Sequence, residues 1–229
     1  MGGFFSLDGP FYKFGTLLAD IMIVGVLWLI FCIPIFTAGA STTALFYVML
    51  RRISNRETYI ARDFWKSFKA NFKIATLVWL VIGAVALILI FNIYNAVQNS
   101  DVFTTSFGGL SGVIYAGQFV IALEALLLTM YIFPLISRFE MKFTGYFKTA
   151  FFMANKHILT SVCSLAVLLA VYLLCSWSPI LIIFSGGIYA FVTSYMLIRV
   201  MRKYRPDLDT DTPLDEHIAP GGTEDEEQK

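Results

Sequence analysis

Five stretches of the chain are apolar almost without interruption, and the links between them collect most of its charges. Residues 14–36, 74–98, 112–136, 158–177 and 179–199 each supply the roughly 20 residues with which a helix crosses about 30 Å of hydrocarbon. A further apolar stretch, 38–50, offers only about 13 residues, some 20 Å of helix, and is too short for a full crossing. It reads as an interfacial or re-entrant helix entered after a break at Pro34, so that the first span runs from outside to inside and residues 1–13 are external. The alternative extends it through Arg51 and Arg52 as a sixth span and puts the N-terminus inside. The expected fold is therefore an all-α, polytopic transmembrane helix bundle of five spans plus short interfacial helices, with six spans left open.

The links orient the bundle. Residues 51–73 hold seven Lys and Arg, 137–156 hold four, and Arg202, Lys203 and Arg205 follow the last span. Basic links stay in the cytoplasm. Residues 99–111 carry one Asp and no base, and 176–178 carry no charge, so these face outside. This makes a multi-pass protein of the plasma membrane with a cytoplasmic C-terminus.

Composition sharpens that picture. Of 229 residues 58% are hydrophobic and 14% charged, against about a quarter charged in soluble domains. A disordered chain is excluded and a soluble globule disfavoured. The net charge of +1 hides a segregation: residues 1–205 hold 16 bases and 7 acids, while 206–229 hold nine acids and one Lys. The first region is the bundle; the second lacks the apolar residues to build a core and is expected to be a disordered acidic cytoplasmic tail. Because the bases flank spans, they set topology rather than pointing to nucleic acid, which is not an expected partner. Cys32, Cys163 and Cys175 lie in apolar segments, and His157 and His217 are far apart, so neither a disulfide framework nor a metal site is expected. No nucleophile elbow, paired His-Glu zinc motif, Cys-His pair or Walker sequence occurs, so no catalytic residue, no cofactor and no enzymatic activity are expected.

Two cytoplasmic stretches are amphipathic. At 100° per residue Phe64, Trp65, Phe68 and Phe72 fall on one arc, and Arg62, Lys66, Lys69 and Lys73 on the other. A weaker repeat sets Phe143, Phe147, Ala150, Phe151 and Ala154 against Lys142, Lys148 and Lys156. Helices near 62–73 and 142–156 therefore either lie on the anionic leaflet or present an aromatic face to a cytoplasmic partner.

Ionisable groups within the bilayer are costly and are functional candidates for that reason. Asp20 and Glu124 qualify. Asp20, Asn92 and Gln118 each lie six residues inside the outer end of a span, Glu124 lies deeper, and Asn95 shares a face with Asn92. Together they form a candidate intramembrane polar site, or else pack the bundle by hydrogen bonds. No Lys or Arg within a span is available to Glu124, which is expected to be protonated or to reach water. Gly186, Ala190 and Ser194 recur at every fourth residue of the last span and allow close helix approach, within the chain or between copies.

Three motifs carry a resemblance. Cys32-Ile33-Pro34-Ile35-Phe36-Thr37-Ala38-Gly39-Ala40-Ser41-Thr42-Thr43-Ala44-Leu45, then Asp63-Phe64-Trp65-Lys66-Ser67-Phe68-Lys69, then Phe133-Pro134-Leu135-Ile136-Ser137-Arg138-Phe139-Glu140 resemble successive motifs of the YesL-like family. These are bacterial integral membrane proteins of unknown function, mostly from Gram-positive species. Members are often encoded beside carbohydrate ABC importers and polysaccharide-degrading enzymes, which implies an accessory role in carbohydrate transport with ABC transporter subunits as partners. The family supplies no catalytic residues, and the acidic tail lies outside the resemblance. Two other function classes stay open: a small-solute or proton-coupled transporter using Glu124 and Asp20, and a membrane-organising or signalling protein. The sequence fixes no oligomeric state.

Overall fold

The structure is a computed structural model that describes residues 10–54, 58–98 and 110–204. The acidic tail, the 99–109 link, residues 55–57 and residues 1–9 lie outside the described residues. Those described form seven α-helices: α1 (Pro10–Cys32), α2 (Ala38–Ile53), α3 (Ile60–Gln98), α4 (Leu110–Arg138), α5 (Phe143–Lys156), α6 (Ile158–Trp177) and α7 (Ile182–Tyr204). Five of them, α1, α3, α4, α6 and α7, are long and apolar enough to span a membrane. The chain is an all-helical multi-pass membrane protein.

α1 stops where Pro34 cannot continue it. The Thr37 hydroxyl lies 2.6 Å from the Phe31 carbonyl and 2.7 Å from that of Pro34, and the Thr37 N–H donates to the Pro34 carbonyl at 2.9 Å. The last carbonyls of the helix thus find partners in the turn. The chain then reverses into α2, whose first half is built of Ala, Gly, Ser and Thr. Ser41 Oγ donates to the Trp28 carbonyl at 3.0 Å, Trp28 Nε1 donates to Thr42 Oγ1 at 3.1 Å, and Arg52 Nε reaches Asp20 Oδ2 at 2.7 Å. Residue pairs 28–42 and 20–52 define an antiparallel hairpin.

α2 lies inside the bundle. From Thr43 to Leu50 every residue is buried, and α1, α3, α4 and α7 close around it. The physical reason lies in its composition: a helix with no polar face has nothing to present to water or headgroups, and its small residues let neighbouring helices approach closely. At Gly39 an added Cβ would stand 2.6 Å from both the Ala75 carbonyl oxygen and the Trp79 Cβ. At the other end of α2, Arg51 meets Asp63 at 3.5 Å. α3 therefore runs antiparallel to α2 and parallel to α1.

In this arrangement the starts of α1 and α3 lie at the same end of the bundle, as the six-span alternative has it. α7 agrees with this arrangement, since Gly25 abuts Ile183 while Gly187 abuts Ile21, which makes α1 and α7 antiparallel. The described ends of the chain point the same way.

α3 has 39 residues, about 58 Å at the helical rise, nearly twice the hydrocarbon thickness. Its first part braces α2, and its second pairs with α4, where Trp79 and Phe133 lie 6.2 Å apart. α4 tolerates Pro134 within its buried C-terminal section, and α5 lies across that end on Tyr146, Ala150, Met153 and Ala154. α6 and α7 complete the bundle through the Pro179–Leu181 turn.

Candidate functional site

The end of the bundle where α2 meets α3 concentrates charge. Arg51 pairs with Asp63 and Arg52 with Asp20, while Arg138 Nη2 donates to Ser54 Oγ at 3.3 Å from the end of α4. Asp63 also accepts the Tyr59 N–H at 3.1 Å in the first turn of α3, where a carboxylate suits the positive end of the helix dipole. Four elements are tied together by three arginines. In the sequence these arginines counted only towards topology; the one signal of their structural role was the isolated acid, Asp20, which required a partner.

The amphipathic start of α3 divides differently from its helical arcs. Phe64 is 1% exposed and Phe68 7% exposed, whereas Trp65 is 44% exposed. The Phe31 ring stands 5.6, 5.5 and 4.9 Å from those of Phe64, Trp65 and Phe68. Phe72 is half-buried beside Phe68, so most of the aromatic face packs inside the bundle, while Trp65 stays part-exposed. Trp65 stacks on Phe68 and carries the Lys69 ammonium 4.7 Å above its ring. What faces outward is the basic arc of Arg62, Lys66, Lys69 and Lys73, all exposed.

The intramembrane polar residues do not converge on one site. Asp20 is held by Arg52 on α2. Asn92 and Asn95 donate to the Ile88 and Phe91 carbonyls of their own helix, each at 2.8 Å. Gln118 keeps its Oε1 buried without a hydrogen-bond partner among the described residues. Glu124 accepts a 2.8 Å hydrogen bond from Asn155 Nδ2 on α5, a partner outside the spans that spacing did not reveal. The small residues of α7 sit inside the bundle: Gly186 lies against the Trp28 ring, and Ala190 and Ser194 are fully buried. Tyr131 and Ser161 share a buried 2.9 Å hydrogen bond between α4 and α6, with Ser164, Thr193 and Ser194 also buried in α6 and α7.

At the α4–α5 corner the Tyr146 hydroxyl donates to the Phe139 carbonyl at 2.7 Å and accepts the Met141 N–H at 3.1 Å. Burial pushes this phenol above its usual value, with Glu140 adding to the effect and the Met141 bond opposing it. His157, at the α5–α6 junction, is held below its ordinary value by desolvation and by Lys203 and Lys156. The three cysteines are free, and no cluster of three or more His, Cys, Asp or Glu able to hold a metal occurs among the described residues.

The fold and its apolar helices define a multi-pass membrane protein. Residues 21–93, which run from mid-α1 through the α2 hub to the outer part of α3, match a family model described as "Protein of unknown function, DUF624". The chain is thus a multi-pass membrane protein whose residues 21–93 are similar to the DUF624 family, the YesL-like proteins. No curated protein and no solved structure matches the chain.

Proposed function

We propose that the protein is a non-enzymatic accessory component of a carbohydrate ABC uptake system, contacting the transporter or its ATPase through the outward arc of α3. The observation that carries this reading is that Arg62, Lys66, Lys69 and Lys73 are exposed on a helix held rigidly by α2 and too long to be contained in the bilayer. The positive-inside rule puts that arc in the cytoplasm, on the side where ATP-hydrolysing subunits work. The contact is mainly electrostatic, because Phe64 and Phe68 are occupied internally, and electrostatic docking acts mainly on association rate and specificity. The family's association with carbohydrate importer genes supplies the class of partner.

The test is isolation in mild detergent followed by identification of co-purifying subunits, with Lys66→Glu, Lys69→Glu and Lys73→Glu combined. ABC subunits retained by the parent protein and lost by the triple variant, with slower sugar uptake, are expected. Isolation of the protein alone, with uptake unchanged on deleting the gene, would refute the reading.

A further inference from the structure

We propose that the corner between α4, α5 and the end of α7 is a binding site for one anionic phospholipid, with an acyl chain inside the bundle and the phosphate on the lysines of α5. A cavity of about 390 Å³ opens there, lined by Leu135, Met141, Met153 and Met201 and walled by Phe139 and Phe152. That volume lies in the range of small-molecule sites. Three thioethers make the lining adaptable, which suits chains of differing length and unsaturation.

Position selects the ligand. Leu135 lies three residues inside the end of the Gly112–Arg138 span, and Met201 ends the Ile182–Met201 span. The mouth therefore opens at the boundary between hydrocarbon and headgroups, where phospholipid is the amphiphile at hand. Charge selects the headgroup. Residues 137–156 hold four bases and one acid. Lys156 Nζ stands 5.0 Å over the ring of Phe152, a wall of the cavity, which sets a cation at the rim. Lys142 and Lys148, both exposed, adjoin the lining residues Met141 and Thr149. Glu140 also lines the cavity and repels a phosphate, so the proposed headgroup seat is on Lys156 and Lys148. Basic pockets at the cytoplasmic ends of spans recognise anionic headgroups in this way.

The experiment uses the full chain in vesicles mixing phosphatidylglycerol and phosphatidylcholine of identical acyl chains, followed by native mass spectrometry of retained lipid. One phosphatidylglycerol per chain, retained in preference to phosphatidylcholine and not displaced by glycerol phosphate, is expected. Lys156→Gln lowers that retention roughly fivefold, the effect of removing one base near a charged headgroup. Thr149→Phe, which fills the mouth from a partly exposed position, abolishes it without changing the melting temperature. A photoreactive residue at position 149 captures phospholipid. Equal retention of the two lipids, displacement by glycerol phosphate, indifference to Thr149→Phe, or capture of a protein at position 149 would each overturn the proposal.

Discussion

Around α2, Ala40, Ala44, Tyr47 and Leu50 are sealed by neighbouring helices, whereas on the outer part of α3 Leu87 and Phe91 stand 70% and 68% exposed. The same contrast runs through the polar groups. In the hub, hydroxyls and guanidinium groups bond across helices, as in Trp28 to Thr42 and Arg52 to Asp20. On the outer α3–α4 pair, Asn92 bonds to the Ile88 carbonyl of its own helix. Lipid explains the difference: hydrocarbon is as apolar as leucine, so two paired helices need not hide their side chains, provided each backbone and amide is satisfied locally. The hub is where tertiary structure is specified, and the outer pair is specified mainly by the bilayer.

Glycine substitutions break this comparison most sharply. Gly39→Leu drives a side chain into the Ala75 carbonyl and Trp79, and is expected to cost about 3 kcal/mol or more. Gly83→Leu on the outer part of α3 meets nothing within 4 Å and is expected to stay within about 0.5 kcal/mol. Thermal unfolding in detergent compares the two, and equal effects would dissolve the distinction. Next in size is the Asp20–Arg52 pair, where Arg52→Gln strands a partly buried carboxylate and should cost about 1 to 3 kcal/mol. Pairing it with Asp20→Asn should return part of that loss in a double-mutant cycle. Asn92→Leu should change stability by less than about 0.5 kcal/mol, because its amide donates to its own helix. A larger loss would show that it meets a partner across the bundle.

The smallest effect concerns pH. His157 is held below its ordinary value of 6.5, so the unfolded chain takes up this proton first as pH falls. Stability attributable to His157 is therefore present above pH 6.5 and declines as pH drops through that value toward the lower folded value. The slope is expected to be shallow and to vanish in His157→Gln, as read by melting temperature between pH 7.5 and 5.5.

The five long helices were legible because length and hydropathy alone decide whether a helix crosses lipid, and their bounds agree with the apolar runs to within a few residues, except at the start of α3. There the amphipathic 62–73 pattern is not a separate surface helix. Its inward face, Phe64, Ser67 and Phe68, packs on a helix that length arguments had moved to the interface. The enclosure of α2 is not legible from a comparison of 13 apolar residues with bilayer thickness; the informative feature is the lack of any polar face between 38 and 50. The polar site was the least legible part. Asp20 and Glu124 were grouped by depth along straight spans, but their partners, Arg52 and Asn155, sit on the short helices α2 and α5, whose courses no periodicity reveals. Spacing gives depth and face; it does not give the neighbour.

The parallel course of α1 and α3 follows from the α2 hub, and sidedness tests it most directly. In a chain with Cys32, Cys163 and Cys175 replaced by Ala, single cysteines at Tyr12 and Lys66, both exposed, are offered to a membrane-impermeant maleimide. Both positions should resist labelling in intact cells and react in inverted vesicles. Labelling of position 12 from outside while position 66 reacts only from inside would contradict the account.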